Sequence, residues 1–391
     1  MQMPLNIGEV MKAAADTDAA RRMPISISIF FDCECDDNLI DCVAGAFATN
    51  APAARVTMQA YPVHMPQLDF DTDLAVLVAG LSQNTGVFAQ RLRHSGVPVL
   101  VVTDMPQIVT ELAIAQGHAL LEDDLVFPSA QADGALLPAD RDLNSEPYAL
   151  TCERRKSLLS RMGDWVVSTF KDKRLAFALA FDFVRRPLSM DFVNATAVQN
   201  AAIGMVVVSP GADMPVMTLN QAKMVLQIAA AYGQDLGRER AIELIGVVGG
   251  GFACRAVARQ LAAMVPSFGW LVKGGVGFTG TIAMGYGCIA YFESLLESGL
   301  SAEDALEAAR SEAAKAQAIA RGHQSPVDAA AAVAKMLAYD AATVGVEKAR
   351  AFMPFMRNAL IDIRDNADFI PVDLGRTLIA SLLDLRKEGR E

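Results

Sequence analysis

Two runs in the first third of the chain, Asp73–Ala79 (DLAVLVA) and Gly96–Val102 (GVPVLVV), are apolar along nearly their whole length and show no polar face. A strand built this way has to be covered on both sides, which is the environment of a parallel sheet sandwiched between helices. Further β-rich runs lie at Ile25–Phe31 (ISISIFF), Arg55–Tyr61 (RVTMQAY) and Asp124–Phe127, and stretches of helical character fall at Asn38–Ala48, Thr85–His94 and Gln107–Gln116. Strands alternating with helices of about ten residues predict a doubly wound, mostly parallel α/β domain.

In such a sheet ligands bind beyond the carboxyl ends of the strands. A phosphate-binding loop there would be rich in glycine and would end in Gly-Lys-Ser/Thr, so that backbone N–H groups and the lysine hold the phosphates. After the first strand this chain instead reads Asp32-Cys33-Glu34-Cys35-Asp36-Asp37. Four carboxylates at the mouth of the following helix repel an anion, and no lysine occurs between Lys12 and Lys156. These features argue against nucleotide triphosphate binding. Asp32, Glu34, Asp36 and Asp37 are the candidate ligands for a divalent cation, in the manner of the acidic pocket of a phosphorylation-receiver domain. That pocket also needs an acceptor aspartate after the third strand and a lysine after the last, whereas here those ends read Ala79-Gly80 and Phe127-Pro128. The alternative is that Asp36 or Asp37 caps the helix while the other acids are solvated. Cys33, Cys35 and Cys42 lack a fourth ligand at metal-site spacing and read as small buried side chains. His64, His94 and His118 are potential bases, but no Ser-His-Asp or Cys-His spacing accompanies them. No catalytic residue and no cofactor are expected.

Charge is unevenly distributed. Residues 24–150 hold 17 carboxylates and four arginines, residues 153–190 hold nine basic and four acidic side chains, and the whole chain carries −11. An acidic balance argues against nucleic acid as a partner. The break near residue 150 predicts a domain boundary, with 129–150 as linker. Six cysteines without paired spacing, behind an N-terminus that lacks a signal-peptide core, suggest a reduced chain on the cytoplasmic side. Thr151 opens a predicted helix, Leu175–Val184 a second one that Arg185-Arg186-Pro187 ends. Gly274–Phe292 is 19 residues without a charge, long enough for a transmembrane helix, and Gly277, Thr281 and Gly285 fall on one face. Gly246 and Gly250 form a similar pair, and Arg255 and Arg259 are placed to reach headgroups. Ser301–Ala320, Pro326–Ala342 and Asp373–Lys387 are expected to be helical; His323 falls in a loop between two of them. The organisation read from these features is an N-terminal helix (1–23), an α/β domain (24–128), a linker (129–150), a glycine-rich helical domain (151–300) and a helical tail (301–391).

The order of short motifs from Ala197-Val-Gln-Asn200 through Asn220-Gln-Ala-Lys-Met-Val225 and Gly249-Gly-Gly-Phe-Ala-Cys-Arg255 to Thr281-Ile-Ala-Met-Gly285 resembles domain of unknown function family 697. That helical family accompanies Era-like GTPase domains and is commonly predicted to be membrane-embedded. The resemblance implies that residues 24–128 are a degenerate, P-loop GTPase-like domain. Gly96–Asp104 then stands where the base-reading motif would follow, with Thr103-Asp104 in place of Asn-Lys. Together these readings predict a non-catalytic, membrane-associated scaffold or partner-binding protein on the cytoplasmic side. It would carry a pseudo-GTPase domain, bind a protein partner and self-associate through glycine-lined helices. The alternative is a module that binds a divalent cation or small ligand at the acidic strand ends.

Overall fold

The computed structural model describes residues 7–63, 66–128, 149–206, 214–234 and 269–296, with part of 304–315. The chain divides into two compact units. One comprises Met11–Phe192 and Leu226–Ile242, the other Met1–Val10, Val193–Val225 and Glu243–Glu391. His64, His323, Gly246, Gly250, Arg255, Arg259, most of the linker and the expected helices after residue 320 lie outside the described residues.

The first unit begins with α1 (Ile7–Arg21), most of which belongs to it, and is built on five strands: β1 (Ile25–Phe31), β2 (Ala54–Ala60), β3 (Leu74–Val78), β4 (Val99–Val102) and β5 (Leu125–Val126). They pair in the order β2-β1-β3-β4-β5, and every pairing is parallel. Helices α2 (Asp37–Ala46), α3 (Thr85–His94) and α4 (Pro106–Ala115) connect them. The parallel α/β character expected from the apolar runs is therefore present, and β3 and β4 are buried at every position.

On one face Phe30, Leu77, Val99 and Val101 pack with Phe88, Leu92 and Val109 of α3 and α4. The opposite face is completed by helices from beyond residue 150: α5 (Cys152–Thr169), α6 (Arg174–Ala180) and the start of α7 (Asp182–Val206). Phe47 at the end of α2 meets Phe181 and Phe183 edge-on, both with ring centroids at 5.1 Å. Trp165 donates to Asp124 Oδ1 at 3.3 Å, and Arg161 donates to the Phe127 carbonyl at 2.9 Å. The basic stretch therefore meets carboxylates within its own unit: Lys173 pairs with Asp73 at 2.7 Å and Arg174 with Asp191 at 2.5 Å.

Two sequence expectations are corrected here. Pro187 does not end a helix. The break comes earlier, at Phe181, and Pro187 lies inside α7. A proline there leaves the carbonyl of residue 183 without its helical N–H partner. Gly163 of α5 approaches that carbonyl so closely that a Cβ on it would stand 2.6 Å from Phe183 O.

The transmembrane helix is the second correction. Gly274–Phe292 does lie within one helix, α9 (Gly269–Leu296), which follows α8 (Met214–Ala231) among the described helices. No helix among the described residues is long and apolar enough to cross a membrane. Absence of charge is not hydrophobicity: six glycines, two threonines and two tyrosines dilute the aliphatic content of the run. Thr281 is fully buried, and its hydroxyl accepts from Asn200 Nδ2 at 2.9 Å and Gln221 Nε2 at 3.0 Å. Gly285 seats against Val193, where a Cβ would collide with the valine at 2.2 Å.

Candidate functional site

Strand order β2-β1-β3-β4-β5 places the topological switch point between β1 and β3, where ligands of flavodoxin-type sheets bind. Asp32, Cys35 and Asp36 follow β1, Gly80 and Ser82 follow β3, and Thr103 and Asp104 follow β4.

Asp32 is buried, and its carboxylate closes the switch point from within. Oδ2 accepts from the N–H groups of Ser82 (2.7 Å) and Gly80 (3.1 Å), and Oδ1 accepts from Glu34 N (3.0 Å). The bonds from Gly80 and Ser82 bind the β1–α2 loop to the β3–α3 loop, and the one from Glu34 fixes the turn of the first loop itself. The loops touch so closely that a Cβ at Gly80 would lie 2.7 Å from Cys35 N and 2.8 Å from Glu34 C and O. The amides that would greet an anion at this place already serve an internal carboxylate.

The other acids diverge. Asp36 is the N-cap of α2, accepting from Asn38 N at 2.8 Å, while Glu34 and Asp37 are exposed. Among the described residues no group of three or more His, Cys, Asp or Glu converges in a geometry that would hold a metal ion. The Cys35 thiol is buried 3.9 Å from the Ala79 carbonyl. Burial first, then the charges of Asp104 and Asp32, push it up to about 12, so it is a neutral thiol at physiological pH.

Asp104 entered the sequence reading only as part of the Thr103-Asp104 pair in place of Asn-Lys, with no role for its carboxyl. It is almost completely buried, Oδ1 has no hydrogen-bond partner, and burial raises its pKa, with the Asp36 charge adding to the effect. The only signal in the sequence is a carboxylate two residues beyond an all-apolar strand. At the end of β5, where a receiver pocket carries its lysine, the ring of Phe127 lies under the Arg161 guanidinium at 4.3 Å. His94 and His118 are at the surface, held by Gln90 through its carbonyl (2.7 Å) and its side chain (2.5 Å). The strand ends thus hold a stitched carboxylate, a buried carboxyl with one oxygen left without a partner, and a neutral thiol.

Comparison with protein-family models, with curated proteins and with solved structures returns no match.

Proposed function

We propose that this chain is a non-catalytic partner-binding protein whose α/β unit has lost ligand chemistry at its strand ends. One observation carries the reading: Asp32 occupies the backbone amides of Glu34, Gly80 and Ser82, so the switch point is filled by the chain's own carboxylate. Two ancestries are compatible with a filled switch point. The sheet order is that of flavodoxin- and receiver-type folds. It supports a receiver-like plan in which Gly80 and Phe127 stand where acceptor aspartate and lysine would be. The motif order of residues 197–285 supports a degenerate Era-like GTPase beside an all-α, glycine-rich domain. Under either plan the unit presents a surface to a protein partner and performs no phosphoryl chemistry.

Titration of the full-length chain with GTP, magnesium and calcium tests this. No binding is expected up to about 1 mM, a free energy no better than about −4 kcal/mol. Micromolar GTP binding would overturn the reading. A micromolar cation response abolished by Asp36→Asn with Asp37→Asn would establish the rival cation-binding module.

A further inference from the structure

We propose that the edge of β2 facing away from β1 is a homodimerisation surface on which a second copy of this chain adds its own β2 antiparallel, continuing the sheet across a twofold axis. The two edges of the sheet are built differently. β5 is two residues long, as a guarded edge is, whereas β2 is seven residues long and pairs only with β1 among the described residues. The described residues between β2 and β3 form no helix. Four of the seven β2 side chains are exposed.

Which backbone groups are available follows from the register. Ile25 N–H bonds Ala53 O at 3.0 Å and Tyr61 N–H bonds Phe31 O at 2.8 Å. Odd-numbered residues of β2 therefore turn their amides towards β1, and alternation turns those of Val56, Met58 and Ala60 outward.

The sequence of β2 is complementary to itself about Thr57. An antiparallel pair centred there opposes Val56 with Met58 and Arg55 with Gln59, and places Thr57 beside its own copy. Val56 and Met58 are outward-facing, so each such pair exchanges two N–H···O bonds, and apolar meets apolar on that face. Threonine beside threonine is a favourable cross-strand pair. The second copy's Met58 arrives at the mouth of a groove of about 480 Å³ lined by Ile29, Phe47, Val56 and Met58. The two most exposed large apolar side chains fit the same arrangement. Phe70 stands between Asp69 and Asp71, which both pair with Arg55 near the start of β2, and Val63 follows the end of β2. Antiparallel pairing brings the start of one strand beside the end of the other, so each fully exposed Phe70 gains the neighbourhood of a Val63.

Electrostatics select the same edge. Residues 24–150 carry a net −13, which opposes self-association through the carboxylate-rich parts of that stretch. No carboxylate occurs from Cys42 to Leu68, and Arg55 is the one Lys or Arg in that stretch. Across the twofold the two Arg55 residues lie four positions apart along the strands, about 13 Å, beyond the reach of their repulsion at physiological salt.

Sedimentation velocity of the full-length chain tests the proposal. A dimer is expected at about 100 µM, weakened by at least about 100-fold in Met58→Pro and in Met58→Lys. The Met58 N–H faces outward, so proline there removes no bond to β1, and the lysine variant checks the result without any backbone constraint. An unchanged thermal transition in at least one of them shows that the fold survives. Register is read separately, in a background with exposed Cys33 and Cys152 replaced by serine. Thr57→Cys oxidises to a covalent dimer joined at that position, whereas Gln59→Cys, which faces Arg55, does not. A monomeric wild type at about 100 µM, a dimer indifferent to both Met58 substitutions, or equal cross-linking at 57 and 59 would each overturn the proposal.

Discussion

Asp32 and Asp104 follow parallel strands of the same sheet and are both buried, but their surroundings differ. Asp32 accepts three backbone hydrogen bonds, whereas Asp104 leaves Oδ1 without a partner and is pushed towards its neutral form by burial. Linkage fixes the sign of the pH dependence. Asp104 has a higher pKa folded than unfolded, so the folded state binds its proton more tightly. The contribution to stability is greatest below the unfolded value of about 3.9 and is lost as pH rises through the folded value. Asp104→Asn is therefore expected to melt at a higher temperature than wild type at pH 7.5. The advantage should shrink or reverse at pH 4, and thermal melts of both proteins across that range measure it. An advantage that is constant with pH would show that the carboxyl does not titrate on unfolding. The sequence placed four acids after β1 and one after β4 but could not rank them. The amides that distinguish Asp32 come from Gly80 and Ser82, nearly fifty residues away.

Elements were the most legible level. The β1 and α3 boundaries coincide with the runs Ile25–Phe31 and Thr85–His94, because apolar content and helical spacing are local properties. Thr151 caps α5 as its residue type suggests, accepting from Arg154 N at 3.3 Å. Pro187 was misread because the proline rule considers only the helix that contains it. The freed carbonyl of Phe183 is met by Gly163, on another helix. Gly163→Ala should therefore cost about 1–3 kcal/mol, although alanine is the better helix former by propensity. Urea unfolding of full-length protein measures this, and a stabilised variant would show that the contact is slack. The uncharged run in α9 was misread for a related reason. Its glycines and Thr281 meet Val193, Asn200 and Gln221, residues of other helices that a hydropathy window does not see.

For the whole molecule, the charge break at residue 150 acquires a physical meaning. The acidic sheet region and the basic helices after it belong to one compact unit, joined by Lys173–Asp73 and by contacts of Trp165 and Arg161 with the β5 region. A fragment ending at residue 150 would leave Phe47 without Phe181 and Phe183. Such a fragment is expected to bind a hydrophobic dye and to melt without a cooperative transition, whereas the full-length chain melts cooperatively. Cooperative melting of the fragment would show that the sheet stands without α5–α7.

What the sequence determined by itself was the local and the compositional: apolar runs that must be buried on both faces, caps, and the lack of any lysine or glycine-rich loop at the phosphate position. These follow from side chains acting on their own neighbours in the chain. Only the tertiary structure decided which carboxylate is satisfied, which helix tolerates a proline, what the glycines approach and which long strand stands at the sheet edge among the described residues. Each of those depends on atoms brought together from distant positions, and burial makes their pairing, or the lack of it, energetically consequential.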